Sequence, residues 1–145
     1  MRILFMLLCA PVFAQDNAVI EKAILSVHNQ VTRAAEDRDL DRLFSFMAET
    51  SKGSIVQNGV LSLTPADAKA KVAPGFSAPV RVAYRWKQQH VTVLAPAIVL
   101  LVSEGDTIVN PEGQPQVTVP LVQTLVWVQR DGEWKILHAH QSSPR

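Results

Sequence analysis

The chain is short of thiols, of tyrosine and of net charge. It has one cysteine, Cys9, one tyrosine, Tyr84, and 14 Lys and Arg against 13 Asp and Glu in 145 residues. A formal charge of +1, with both signs scattered, lacks the basic stripe of a nucleic-acid binder and implies no polyanion partner. A composition 48% hydrophobic and 19% charged is too apolar for a disordered chain. At this length it describes one domain with a real core. Repeats, low-complexity tracts and linkers are missing. So are a P-loop, a dinucleotide fingerprint, a nucleophile elbow and a zinc-protease helix, which leaves motif-defined enzyme classes without support.

A long hydrophobic run is also missing. Ile3 to Ala10 is short of the roughly 20 residues a bilayer span needs, and the apolar stretch from Val91 to Val102 is interrupted by Pro96. Arg2 ahead of the first run, followed by Pro11 and Val12-Phe13-Ala14, has the pattern of a cleaved export signal. Residues 1–14 are therefore expected to be the signal peptide and residues 15–145 the folded domain, exported and free of the membrane once cleaved. Without Arg2 the basic count falls from 14 to 13 and equals the acidic count. Cys9 lies inside the signal and follows Leu7-Leu8, not the small residue that lipid attachment wants. The mature chain then has no disulfide and no thiol nucleophile.

Apolar residues Ile20, Ile24, Val27, Val31 and Ala34 recur at helical spacing and predict a first helix over Asn17–Ala35. Asp39 caps a second, short helix carrying Leu40, Leu43, Phe44 and Met47. Ser54–Gln57 and Val60–Leu63 form a hairpin around Asn58-Gly59. Thr64-Pro65-Ala66-Asp67 opens a third helix, which Pro74-Gly75 is expected to end. Four long strands follow, at Val80–Leu94, Ala97–Ser103, Val117–Gln129 and Trp134–His140, with Gly105–Gln116 as a loop. Helices grouped ahead of a curved antiparallel sheet make an α+β domain.

The turn signal Asp131-Gly132 sets the register of the last hairpin. Strict alternation pairs Gln129 with Trp134, Trp127 with Ile136, Leu125 with His138 and Gln123 with His140. Indoles, glutamines and imidazoles on one face suit a cavity wall better than a dry core. The opposite face, with Thr124, Val126, Val128, Lys135, Leu137 and Ala139, is apolar enough to need a cover, and a second copy of the chain is the expected one.

Two helices, a hairpin, a short helix and long strands form a familiar order. With Ala35-Glu36-Asp37-Arg38-Asp39-Leu40-Asp41 between the first helices and Trp134-Lys135-Ile136-Leu137-His138-Ala139-His140-Gln141-Ser142-Ser143 at the end, the chain resembles the SnoaL-like branch of the nuclear-transport-factor-2-like superfamily. The resemblance covers nearly all of the mature chain and rests most on the closing segment. It implies a cone-shaped, cystatin-like α+β roll, with N-terminal helices in the concave face of a strongly bent sheet, an apolar pocket and frequent homodimers. Together with the signal, it implies a bacterial periplasmic or extracellular location. Members range from ketosteroid isomerase through polyketide cyclases and dehydratases to exported proteins of unknown role, so fold alone does not name the function.

The expected pocket wall comprises Tyr84, Trp86 and His90 from the first long strand, and Gln123, Leu125, Trp127, Trp134 and His138 from the last two. The resemblance favours His140 as the pocket histidine, and an imidazole of ordinary pKa near 6.5 is a competent acid or base at neutral pH. His28, beside the buried stripe of the first helix, is the second candidate. No metal is expected, because His138 and His140 lack a third ligand while His28 and His90 sit on other elements. No other cofactor is expected. Ketosteroid-isomerase chemistry needs a buried carboxylate and a suitably placed acidic donor, but Tyr84 is on a strand, and capping accounts for Asp37, Asp39 and Asp41. The expected function is an exported protein holding a small hydrophobic molecule. The alternatives are a cyclase, isomerase or dehydratase using a pocket histidine, and a homodimerisation module without a ligand.

Overall fold

The computed structural model describes residues 12–144, with side chains from Asn17 onward. The segment expected to be cleaved, residues 1–14, lies outside the described residues as far as position 11. Helix α1 spans Val12–Glu36, α2 Leu40–Ser45 and α3 Pro65–Ser77. The strands are β1 Ile55–Gln57, β2 Val60–Ser62, β3 Val80–Ala95, β4 Ile98–Pro111, β5 Val117–Arg130 and β6 Glu133–Ser142. They form one strongly curved, unclosed sheet in the order β2-β1-β6-β5-β4-β3, with α1 lying on it and contacting β3. Among the described residues no helix is long and apolar enough to cross a membrane.

The local chemistry explains these bounds. Asp39 and Thr64 accept from the N–H groups of Arg42 and Asp67, which caps α2 and α3. Asn58-Gly59 and Asp131-Gly132 all have positive φ, as their tight hairpins demand. Three differences from the sequence reading stand out. Helix α3 continues through Pro74 and Gly75 to Ser77. Strand β4 runs to Pro111, because residues 105–111 pair with β3 and residues 105–109 also with β5, so the loop shrinks to residues 112–116. Finally, β1 lies parallel to β6, so the sheet is mixed.

The core lies between the first half of α1 and the sheet. Ile24 meets Val99, Leu101, Leu125, Trp127, Ile136 and Ala139 there, and fully burying one such side chain contributes about 2 kcal/mol. The end of α1 is fastened to β3: Trp86 Nε1 donates to Thr32 Oγ1 at 3.1 Å, and the Tyr84 N–H donates to Glu36 Oε1 at 2.8 Å. Arg38 ties α3 down. Its guanidinium donates to the carbonyls of Gly75, Phe76 and Ala78 and lies over the Phe76 ring, so a cation meets the carbonyls at a helix end.

Two long strands contain extra residues; besides Leu94 near the end of β3, two of them set the inner face at the site. In β3 the partners of Trp86 and Gln88 are the adjacent Gly105 and Glu104, which leaves Lys87 as a bulge. In β6 the partners of Ile136 and His138 are the adjacent Trp127 and Val126, which leaves Leu137 as a bulge. Gly105 makes the first bulge possible, since a Cβ there would sit 2.3 Å from the Arg85 carbonyl oxygen. Gly105→Ala is expected to lose roughly 2 kcal/mol or more of unfolding free energy, because rigid backbone must yield. A urea titration showing no change would disprove that crowding.

Candidate functional site

Beyond Ile24 the cone is hollow. A cavity of about 140 Å³ lies among α1, α2, α3 and the inner face of the sheet. Helix α1 contributes His28, Val31, Thr32 and Ala35, and α2 with its following turn contributes Leu43, Phe44 and Met47. Helix α3 contributes Val72 and Phe76, and the strands contribute Ile55, Gln57, Tyr84, Trp86, Gln123, Leu125, Ile136, Ala139 and Gln141. None of these is Asp, Glu, Lys or Arg. Gln57, Tyr84 and Gln141 also border a larger, more open hollow of about 540 Å³ toward Thr107, Val119 and Ser143.

His28 sits at the border between solid core and cavity and is only 1% exposed. Its Nε2 lies 2.6 Å from Gln123 Nε2 and its Nδ1 2.8 Å from Gln89 Nε2. The Trp86 ring is tilted against it at 5.2 Å and is itself stacked on Tyr84. Burial without a carboxylate partner lowers the imidazole pKa from 6.5 to about 4. Burial raises the Tyr84 phenol, with the charge of Glu36 adding to it and Arg38 opposing it. The cavity therefore offers a neutral imidazole, a neutral phenol and several amides against aromatic and aliphatic walls.

Of the residues expected at the site, the structure gathers His28, Tyr84, Trp86, Gln123 and Leu125 around this cavity. Others go elsewhere, and the bulges explain three of them. The extra residue at Lys87 turns Gln89 inward and His90 outward, where His90 meets Gln88 and is exposed. The extra residue at Leu137 re-pairs β6, so that Leu125 faces Ala139 and Gln123 faces Gln141. His138 and His140 then lie opposite Val126 and Thr124, away from the cavity. His138 donates from Nδ1 to the Gly53 carbonyl at 3.0 Å, and His140 is exposed. The expectation that His140 and His138 face a hollow is thus corrected. Trp127 and Trp134 are not cavity walls either. Trp127 is wholly buried in the core and Trp134 packs against that core, since Ile20 and Ile24 leave no space beneath this end of the sheet. Among the described residues no group of three or more His, Cys, Asp or Glu could hold a metal.

Gln57, Gln89 and Gln141 were not anticipated. The bulge at Lys87 brings Gln89 to the inner face, the bulge at Leu137 brings Gln141 there, and the parallel pairing of β1 with β6 brings Gln57, and no local pattern around them signals it. Val72 and Phe76 could have been read from the apolar spacing of α3.

Residues 24–145 match the SnoaL-like domain family. The chain is a member of that family. Its fold is shared with solved structures of low sequence identity. A provisionally named scytalone dehydratase from Novosphingobium aromaticivorans superposes with a TM-score of 0.82 at 11% identity, over 92% of this chain and 89% of the other. A hexachlorocyclohexane dehydrochlorinase from Novosphingobium barchaimii gives 0.74 at 16% identity, over 91% of both chains. A provisionally named NTF2-like dehydratase from Streptomyces avermitilis gives 0.76 at 15%, over 89% of this chain and 99% of the other. Comparison with curated protein sequences gave no match. These likenesses establish the SnoaL-like cone. The chemistry has to come from the cavity itself.

The histidine at its border gives a pH signature. Unfolded, the imidazole titrates near 6.5; folded, near 4. Between these values only the unfolded chain takes up the proton, so this contribution is complete above about pH 6.5 and is lost as pH falls toward 4. The full loss is about 3 kcal/mol, and His28→Gln is expected to lack it. Urea unfolding of both proteins across that range checks this; equal pH slopes would rule out a buried neutral imidazole.

Proposed function

We propose that this SnoaL-like domain holds a small, uncharged, largely apolar ring compound in the cone. The observation that carries the reading is a cavity walled by Phe44, Phe76, Tyr84 and Trp86 in which every polar group is uncharged. A charged ligand would lose its hydration there with no counter-charge in return. The Tyr84 hydroxyl and the glutamine amides suit one or two carbonyl or hydroxyl groups on the ring.

A second reading has one specific observation in its favour: a neutral imidazole at the cavity border. Enclosed next to a bound ring, His28 is suited to remove a proton beside a carbonyl. Proteins of the same fold named as dehydratases and a dehydrochlorinase give this reading company.

1-Tetralone, a neutral bicyclic ketone, tests both. It is expected to quench the fluorescence of Trp86 and to bind at least tenfold more tightly than the 1-naphthoate anion, a difference of about 1.4 kcal/mol or more. Ala35→Phe, which fills the cavity, is expected to abolish binding. Equal affinity for the anion, or undiminished binding in Ala35→Phe, would overturn the neutral-ring reading. Exchange of the α-hydrogens of bound tetralone in D2O, lost in His28→Gln, supports catalysis; the same exchange rate in both proteins sinks it.

The convex face of the sheet supports a homodimer. Ile98, Leu100 and Val102 of β4 lie beside Val122, Thr124, Val126 and Val128 of β5 on that face, and Ile98 and Val122 are more than two-fifths exposed. Sedimentation velocity is expected to report twice the chain mass; a monomer at high concentration would contradict it.

A further inference from the structure

Five strands each contribute one polar residue to a single row of the sheet. Gln89 on β3 is paired with Ser103 on β4, Ser103 with Gln123 on β5, Gln123 with Gln141 on β6, and Gln141 with Gln57 on β1. Three of the amides are joined end to end. Gln57 Nε2 donates to Gln141 Oε1 at 3.3 Å, and Gln141 Nε2 donates to Gln123 Oε1 at 3.2 Å. Gln123 then meets His28 at Nε2, while Gln89 meets the same ring at Nδ1.

A neutral imidazole carries one N–H and one bare nitrogen, so two amide NH2 groups cannot both face it. One of the two glutamines must present its oxygen. If Gln89 does so, all other bonds in the chain keep their direction: Gln123 donates to a bare Nε2, and Nδ1–H donates to Gln89. The opposite arrangement requires Gln123, Gln141 and Gln57 to turn together, because each amide dictates which end its neighbour shows. The row therefore has two self-consistent directions, and each dictates a different tautomer of His28. Direct ring partners fix a histidine tautomer in general; here the determinant extends two side chains further, to the border shared by the two hollows.

We propose that Gln57, Gln141 and Gln123 form a positioning relay that holds His28 as the Nδ1–H tautomer, with a bare Nε2 on the side of Gln123. In this state the Nε2 lone pair accepts from the Gln123 amide that forms this stretch of the cavity wall. The opposite tautomer would present an N–H. The proton's place on His28 does not depend on which molecule the cavity takes, so a failure to bind tetralone leaves it standing.

Long-range 1H–15N correlation spectra of the intact protein with 15N-labelled histidine, recorded near pH 8, read the tautomer directly. The expected result is a pyrrole-type shift for Nδ1 of His28 and a pyridine-type shift for Nε2. Gln141→Glu is nearly isosteric and supplies an ionised carboxylate that only accepts. It obliges Gln123 to donate toward it and turn its oxygen to the ring, so the two nitrogen shifts are expected to exchange types without any change in the residues touching His28. Gln57→Glu forces the same reversal from one side chain further away, and serves if the first variant folds poorly. A protonated Nε2 in the unaltered protein would overturn the relay. So would unchanged shifts in a folded Gln141→Glu or Gln57→Glu protein, since a purely structural row of amides has no reason to move a proton on His28.

Discussion

A strand that gains one residue on its neighbour turns every later side chain to the other face of the sheet. The cavity depends on two such residues. Lys87 and Leu137 are the extra residues, and beyond each the inner face receives a glutamine where uninterrupted alternation would deliver a histidine. Gln89 replaces His90 and Gln141 replaces His140. The cavity thereby keeps one imidazole, carried by a helix, instead of a cluster of them carried by strands. Gly105 is the price of the first exchange: the bulge presses so close to it that no side chain fits.

That exchange matters because of where His28 lies. An imidazole as deeply buried as this one needs partners for both ring nitrogens, and an unmet polar group at such depth costs about 1–3 kcal/mol. Its partners here are two amides from strands on either side of β4, one of them linked on through Gln141 to Gln57. The same contacts that satisfy the ring also mark where α1 stops touching solid core. Below it, Ile24 is enclosed by Val99, Leu101 and Trp127; above it, Thr32 and Ala35 face open space. Helix α3 closes the far side through Val72 and Phe76, held at its end by the three carbonyl bonds of Arg38.

Much of this was legible in the amino-acid order. Helical spacing from Ile20 to Ala34, capping at Asp39 and Thr64, and the two turn dipeptides locate the elements closely, and the family resemblance supplies the bent sheet. Tyr84, Trp86 and the first half of the last hairpin follow from simple alternation, which is why Trp127 is correctly paired with Ile136. Alternation fails one residue later. A bulge leaves little trace in composition: Leu137 looks like any strand residue, and His138 and His140 look like a pocket pair until the extra residue is counted. The parallel seat of β1 on β6 was equally hidden, since it joins segments more than 80 positions apart. Gln57 reaches the site only through that contact.

Amides do not titrate. A binding chamber whose polar lining is carboxylate would change its charge, and so its preference among guests, whenever the surroundings turned acidic. This one has a lining of glutamine, one phenol pushed upward and one imidazole pushed down to about 4. The environment a guest meets is thus electrically the same in neutral and in mildly acidic water.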